Sequence, residues 1–338
     1  MDNLKNTFYN PPFSHIYVEE EALSSPLAQK LIKKNAPIII HHYMDVFGRT
    51  HQNFSIQKQS PALILAVKHG NFIYPGANVC QSFGNLHFYY TSFAMNCPFH
   101  CEYCYLQGMY SSANIVLFVN IEDYLKELTQ LLCQHSVYLC ISYDTDLLAL
   151  EHLTGFIEQY LCFAAKEHEL VTELRTKSAV FPPFLFSLPE ELKHRVILAY
   201  TLSPQEVTAR YEHRTAPLPT RLSAIRLASS AGFPIRLCFD PLLRIPNFKD
   251  IYGNFISQVH TALSDIPIQD ASIGVFRVSD SYLKQMRKNL PESALLQYPY
   301  ENTKHVCHYG SHSSEMISFV KQQLSDWIPE EKIDTLDL

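Results

Sequence analysis

The sequence predicts an α/β protein built on a parallel sheet, and three observations predict it. From residue 86 onward, short apolar runs alternate with amphipathic stretches of helical period in the order β–α–β–α–β. The alternation continues through four or more units whose connections have the length of helices, the grammar of parallel strands with right-handed crossovers. Composition supplies the third: of 338 residues 47% are hydrophobic and 18% charged, enough for a large core and unlike a disordered chain. A doubly wound sheet and an open partial barrel both satisfy this pattern, and periodicity alone does not separate them.

Before residue 86 the chain reads as a small mixed region. Residues 22–33 have helical spacing, 37–41 form a short β-branched run, and 62–67 make a better strand. The repeating part opens with a strand at 86–93, a helix at 121–134, a strand at 137–142, a helix at 147–168 and a strand at 170–177. Next come a helix at 190–194, a strand at 196–202, a helix at 217–231, a strand at 235–239, a helix at 254–263 and a strand at 271–278. Residues 290–310 carry Pro291 and Pro299 in a Tyr/His mixture with no clear period, and a last helix spans 313–327. The expected divisions are an N-terminal extension (1–85), the repeating α/β body (86–312) and a C-terminal helix and tail (313–338).

Several classes drop out. The longest apolar runs, 61–67 and 115–119, fall far short of the roughly 20 residues that cross a bilayer. The first five residues lack a basic segment leading into an apolar stretch, so the expected address is cytoplasmic and no membrane partner is expected. Ten glycines form neither a G-x-G-x-x-G nor a G-x-x-x-x-G-K-[ST] run. Nine cysteines, an odd number in such a chain, argue against a disulfide framework and for burial, metal binding or catalysis.

The chemistry is concentrated in Cys97-Pro98-Phe99-His100-Cys101-Glu102-Tyr103-Cys104. Three thiolates at C-x3-C-x2-C let one loop reach three irons of a cluster. Three ligands are one short of a closed site, so a [4Fe–4S] cluster here keeps one iron open to a non-protein ligand. The amino and carboxylate groups of S-adenosylmethionine suit that iron, and reduction then cleaves the sulfonium C–S bond to release a 5′-deoxyadenosyl radical. Two plainer possibilities stay open: three reduced, partly buried cysteines, or a zinc site with His100 as fourth ligand. Against zinc, no second C-x2-C or H-x3-5-H pair follows at a suitable distance. Tyr103 would lie over the cofactor's adenine.

The chain resembles the spore photoproduct lyase family, radical S-adenosylmethionine enzymes that repair a thymine–thymine lesion in endospore DNA. The resemblance starts at Ile16-Tyr17-Val18-Glu19, Ala22-Leu23 and Pro26-Leu27. It continues through Cys104-Tyr105-Leu106-Gln107, Phe118-Val119-Asn120, Glu122, Cys140, Ser142 and Glu151-His152-Leu153-Thr154. It then takes in Thr176-Lys177, Arg221, Leu222, Ala224, Ala228, Gly232 and Phe233, nearly the whole chain. It implies an incomplete (β/α)6 TIM-type barrel with an N-terminal α/β extension. The implied activity is conversion of spore photoproduct, 5-thyminyl-5,6-dihydrothymine, back to two thymines. The alternatives are a diverged family member acting on another substrate and a cluster-containing nucleic-acid binding protein without turnover.

Residue by residue, the resemblance makes Cys97, Cys101 and Cys104 the cluster ligands. Lys177 matches the holder of the cofactor carboxylate, Ser142 a hydroxyl at its methionyl end, and Thr201 stands where the family has a serine. Cys140 matches the hydrogen-atom donor to the product radical, a task that suits the weak S–H bond; on its surroundings alone it reads as a core thiol. Tyr105, with Tyr103 beside it, matches the partner returning the radical toward the cofactor. Cys80, in the loop after Gly76, is a rival donor. Cys133, Cys162, Cys238 and Cys307 read as core residues, and the role of Asp240 before Pro241 stays open. A one-electron donor such as flavodoxin or ferredoxin and a monomeric state complete the expected partners.

The nucleic-acid match is weaker. A formal charge of −6 gives no global basic field for phosphates. The family's basic C-terminal hairpin corresponds to Lys304-His305-Val306-Cys307-His308-Tyr309-Gly310, which makes Lys304, His308 and Tyr309 the DNA-binding candidates, with histidines in place of arginine or lysine. Further basic candidates are Arg210, Arg214, Arg221, Lys284, Arg287 and Lys288, and Tyr298, Tyr300 and Tyr309 are candidate wedges for a flipped lesion.

Overall fold

The computed structural model describes residues 13–33, 36–76 and 80–336. The first five residues and the 77–79 stretch before Cys80 lie outside the described residues. Six parallel strands form the centre: β1 (Phe88–Thr91), β2 (Val137–Cys140), β3 (Leu170–Thr176), β4 (Val196–Thr201), β5 (Ile235–Leu242) and β6 (Asp270–Val275). They pair in sequential order, each parallel to the next. This is barrel order; a doubly wound sheet reverses at its middle. The sheet stays open, edged by Ile73–Pro75 antiparallel to β1 and Ile333–Thr335 parallel to β6.

Helices cover the outside because their apolar stripes have no other cover. Ile121–Leu132 buries Ile121, Tyr124 and Leu128, and Phe248–Leu263 buries Tyr252, Phe255, Ile256, Val259 and Leu263. The stretch expected as one helix over 147–168 is two, Leu147–Thr154 and Phe156–Ala164. Gly155 between them takes a left-handed φ of 66°, which glycine adopts without cost, and both halves are apolar enough to look continuous. Glu151 staples the break by accepting from the Ile157 and Glu158 amides (2.8 and 3.0 Å).

A buried ion network ties the barrel strands. Arg236 on β5 donates to Glu173 on β3 (2.6 Å), to the Tyr138 hydroxyl on β2 (2.5 Å) and to Asp270 on β6 (2.7 Å). Residues after Cys80 fold against the same sheet: Gln81 donates to the Ile273 carbonyl (3.4 Å) and the Phe83 ring lies 3.2 Å from the Arg236 guanidinium carbon.

The N-terminal residues build a second sheet in the order Ile38–Ile40, Ile16–Glu19, Leu63–Ala66, Ile115–Phe118, Ala94–Met95. Position 85 does not separate the sheets, since Ile73–Pro75 joins the barrel and Ile115–Phe118 joins the N-terminal sheet. Residues 290–310, without period in sequence, hold a hairpin, Glu301–Thr303 with Val306–His308, turned by Lys304 and His305 at left-handed φ of 50° and 67°. The final helix is Ser311–Ser325. Cys238 and Cys307 are buried as expected, but Cys133, just past the end of the Ile121–Leu132 helix, and Cys162, on the Phe156–Ala164 helix, are exposed. Among the described residues no helix is long and apolar enough to cross a membrane.

Candidate active site

The three-cysteine loop is pinned at both ends and in the middle. Asn96, at a left-handed φ of 66°, donates its side-chain amide to the carbonyls of Ser112 (2.8 Å) and Asn114 (2.7 Å). His100–Cys101 pairs antiparallel with Glu212–His213, and the Glu102 amide donates to the Tyr211 carbonyl (2.8 Å). The Cys101 carbonyl accepts from the Gln107 side chain (2.7 Å) and the Cys104 amide (3.1 Å). Cys101 is buried, Cys97 and Cys104 half-buried. Burial pushes all three thiols up, Cys97 to about 12, while the charge of Lys58 opposes this at Cys97 and Cys104 and that of Lys177 at Cys101 and Cys104.

The donor set fits an iron–sulfur cluster. The three sulfurs lie within one another's electrostatic reach, yet among the described residues no three His, Cys, Asp or Glu side chains converge closely enough for a single ion. Thiols carried on one short loop can each take a separate iron of such a cluster. Burial holds His100 neutral, at about 4, and its Nε2 has no hydrogen-bond partner among the described residues.

Lys177 follows β3 and lies with its Nζ 5.6 Å from the centre of the Tyr103 ring. The Lys177 amide donates to buried Asp146 (2.7 Å), which also accepts from Thr176 Oγ1 (2.9 Å) and caps the Leu147–Thr154 helix through Ala149 (3.1 Å). Tyr103 is anchored beneath by its hydroxyl, which donates to Glu212. Glu212 also accepts from Ser203 (2.8 Å) and from Arg221, whose guanidinium donates to the Thr201 and Ala216 carbonyls (2.9 and 2.7 Å). Burial raises Glu212, but the charges of Arg221 and Lys177 and the hydrogen bonds from Tyr103 and Arg221 together outweigh it, holding the carboxyl at about 2. Arg221 is therefore no phosphate contact: it is fully buried, a correction to its place among the basic candidates. Ser142 spends its hydroxyl locally, donating to the Thr145 carbonyl and accepting from the Leu147 amide (both 3.1 Å). Thr201 is buried at the end of β4.

Cys140 ends β2, buried between Tyr90 of β1 and Glu173 of β3 in the sheet register. Burial, aided by the Glu173 charge, raises it to about 12, so it stays in the S–H form. Cys80 meets it electrostatically and places its sulfur 3.3 Å from the Tyr143 hydroxyl. Tyr143 stacks on Tyr90 (4.0 Å between centres), and its carbonyl accepts from the Tyr105 hydroxyl, as does Asp144 (both 3.2 Å). Cys80 and Tyr105 thus both meet Tyr143, while Cys140 is linked to it through Tyr90 and Cys80.

The hairpin exposes Lys304, while His308 and Tyr309 are buried. His308 uses both ring nitrogens, with Thr303 (3.0 Å) and the Gly310 amide (3.0 Å). Tyr309 packs among Tyr298 and Tyr300 at 5.1 and 5.2 Å between centres. Arg210, Lys284 and Lys288 are exposed, whereas Arg287 donates to the Leu296 and Tyr298 carbonyls (2.7 and 2.9 Å). Asp240 accepts from Arg277 (3.2 Å). Sequence reasoning missed Lys58, Asp146, Tyr143 and Glu212; Asp146 alone carried a signal, a helix cap three residues before Ala149.

The family model described as spore photoproduct lyase matches residues 84–335. The spore photoproduct lyase of Bacillus subtilis (strain 168) is 24% identical over 298 residues, covering 83% of this chain and 83% of that protein. A solved spore photoproduct lyase mutant with bound AdoMet and dinucleoside spore photoproduct is 18% identical with a TM-score of 0.80, covering 97% of this chain and 99% of that one. A second, complexed with dinucleoside spore photoproduct, has a TM-score of 0.79 at 17% identity, covering 96% of this chain and 99% of that one. These structures establish the shared fold, the open six-stranded barrel expected from the resemblance. With the family model matched over most of its length, the chain belongs to the spore photoproduct lyase family.

Proposed function

We propose that this chain is a radical S-adenosylmethionine lyase that returns the spore photoproduct in DNA to two thymines. The observation that carries the proposal is the juxtaposition of the pinned Cys97, Cys101 and Cys104 loop, with its Tyr103, and a barrel rim bearing Lys177 and Cys140, with Cys80 beside it. A [4Fe–4S] cluster held by the three cysteines, with S-adenosylmethionine at its open iron, supplies reductive C–S cleavage and a 5′-deoxyadenosyl radical.

The chain's own residues do the rest. Lys177 offers an ammonium to the cofactor carboxylate, and Asp146 fixes the backbone that carries it. Tyr103, immobilised by Glu212, presents a ring face toward the adenine. Once the dihydrothymine ring has lost a hydrogen atom and the bond between the thymines has broken, Cys140 gives its S–H hydrogen to the product radical. Its burial suits this, because only the thiol form carries the hydrogen. Tyr105 and Tyr103 then return the radical toward the cofactor.

A second reading assigns the donor role to Cys80, favoured by its contact with Tyr143 above Tyr105. Lys304 is the hairpin residue offered to a phosphate; His308 and Tyr309 serve DNA only if the hairpin repacks. A low-potential carrier such as flavodoxin or ferredoxin supplies the electron. The test is anaerobic reconstitution followed by incubation of the reduced protein with S-adenosylmethionine and the lesion dinucleotide. Deoxyadenosine together with repaired dinucleotide supports the proposal, and deoxyadenosine without repair moves it to a diverged member with another substrate. Neither product, from protein with a full cluster, favours a nucleic-acid binding protein without turnover.

A further inference from the structure

We infer that Lys58 is a built-in counter-charge for the metal centre, an ammonium that the N-terminal layer inserts beside the three-cysteine loop. The inference rests on the [4Fe–4S] proposal and extends it to a residue outside the cysteine motif and outside the barrel. Lys58 lies on the short helix Phe54–Gln59, is 4% exposed, and donates from Nζ to the Cys97 carbonyl. Burial lowers its pKa from the ordinary lysine value, the charges of Cys97, Cys104 and Cys101 oppose that, and the like charge of Arg214 adds to it. Among the described residues it forms no ion pair with a carboxylate.

Lysine ordinarily buries its methylenes and leaves its ammonium in water. Here the whole side chain is enclosed, and its helix cannot turn to release it. Asn53 caps that helix through the Ile56 amide (3.0 Å), and Gln57 accepts from the Ala113 amide (3.0 Å). At the other end the Gln59 carbonyl accepts from Arg214 (3.0 Å). A buried cation facing no carboxylate is unfavourable unless another anion shares its enclosure. Three thiolates around a cluster are such an anion, and the three cysteine sulfurs are the acidic groups that act on Lys58. Adding an electron makes that centre more negative, so a fixed cation favours the reduced state and raises the potential. Of the other cations near the loop, Lys177 lies beside Tyr103 on the cofactor side, Arg221 is paired with Glu212 and half-buried Arg214 donates to the Gln59 carbonyl, which leaves Lys58 as the enclosed charge that acts on Cys97 from the N-terminal layer.

The experiment compares Lys58→Met and Lys58→Arg with the unaltered protein, all reconstituted anaerobically without substrate. It measures iron and sulfide content and the midpoint potential by EPR-monitored titration. Lys58→Met is expected to lower the one-electron equilibrium constant for reduction at least tenfold, 59 mV of midpoint potential, and Lys58→Arg to stay near the unaltered value. An unshifted midpoint in Lys58→Met with full iron content would overturn the inference while leaving the cluster proposal standing. If Lys58→Met holds too little iron to titrate, a full cluster in Lys58→Arg supports the counter-charge, and loss in both variants overturns it in favour of a packing role. Absence of iron and sulfide from the unaltered protein would overturn the cluster proposal and this inference together.

Discussion

Cys140 and Cys80 put the same chemistry in two environments, one thiol enclosed at a strand end and the other half-exposed against a tyrosine hydroxyl. The two can be separated by products. With Cys140 as donor, Cys140→Ala should keep lesion cleavage but divert most of the dinucleotide to adducts, while Cys80→Ala gives the normal product; chromatography of the dinucleotide pool reads both. The opposite pattern would move the donor to Cys80. The cluster ligands were legible because three cysteines within eight residues need no tertiary knowledge. Lys58 and Glu212 were not, because each reaches the loop only through folding, from 39 residues before Cys97 and from 109 residues beyond Tyr103. In isolation a lysine and a glutamate read as surface charges.

The joint between Leu147–Thr154 and Phe156–Ala164 depends on a carboxylate that the fold holds against its preference. Burial raises Glu151 from 4.5 to about 7, more than its two amide donors lower it. A carboxyl raised by folding adds stability fully below its unfolded value and loses it as pH rises through the folded one. Between pH 4.5 and 7 the wild-type protein should therefore lose on the order of 3 kcal/mol from this group. Glu151→Gln should flatten that part of the stability profile in chemical denaturation. This joint shows what periodicity hides: two apolar helices in line have the spacing of one, and Gly155 was the lone sign of the break. The hairpin hides its turn for a related reason, since Lys304 and His305 adopt left-handed conformations without the usual Asn-Gly signal. Within the barrel, Arg236→Met leaves Glu173 with Arg175 alone and Asp270 without its ion-pair partner, and should cost about 3–5 kcal/mol. Removing the exposed Arg226–Asp265 pair through Arg226→Met should leave the stability nearly unchanged in the same denaturation series.

At the scale of the whole molecule, the α/β alternation gave the sheet and its parallel sense, but closure and layering had to be seen. The apolar run at 115–119 is given no element in the sequence reading, lies within the repeating body and forms a strand of the N-terminal sheet, because pairing partners, not periodicity, decide membership. The same interleaving carries Lys58 to the cysteine loop. A net charge of −6 and a hairpin offering one exposed lysine imply weak, shallow electrostatics toward DNA. Lys304→Ala should reduce the log–log salt slope of duplex binding by about one, measured by fluorescence anisotropy. The most direct test of the central claim is the product analysis of reconstituted, reduced protein with S-adenosylmethionine and the lesion dinucleotide. The account predicts 5′-deoxyadenosine and repaired thymine dinucleotide together, both lost in Cys101→Ala. Repair that persists in Cys101→Ala, or a full cluster that yields neither product, would contradict it.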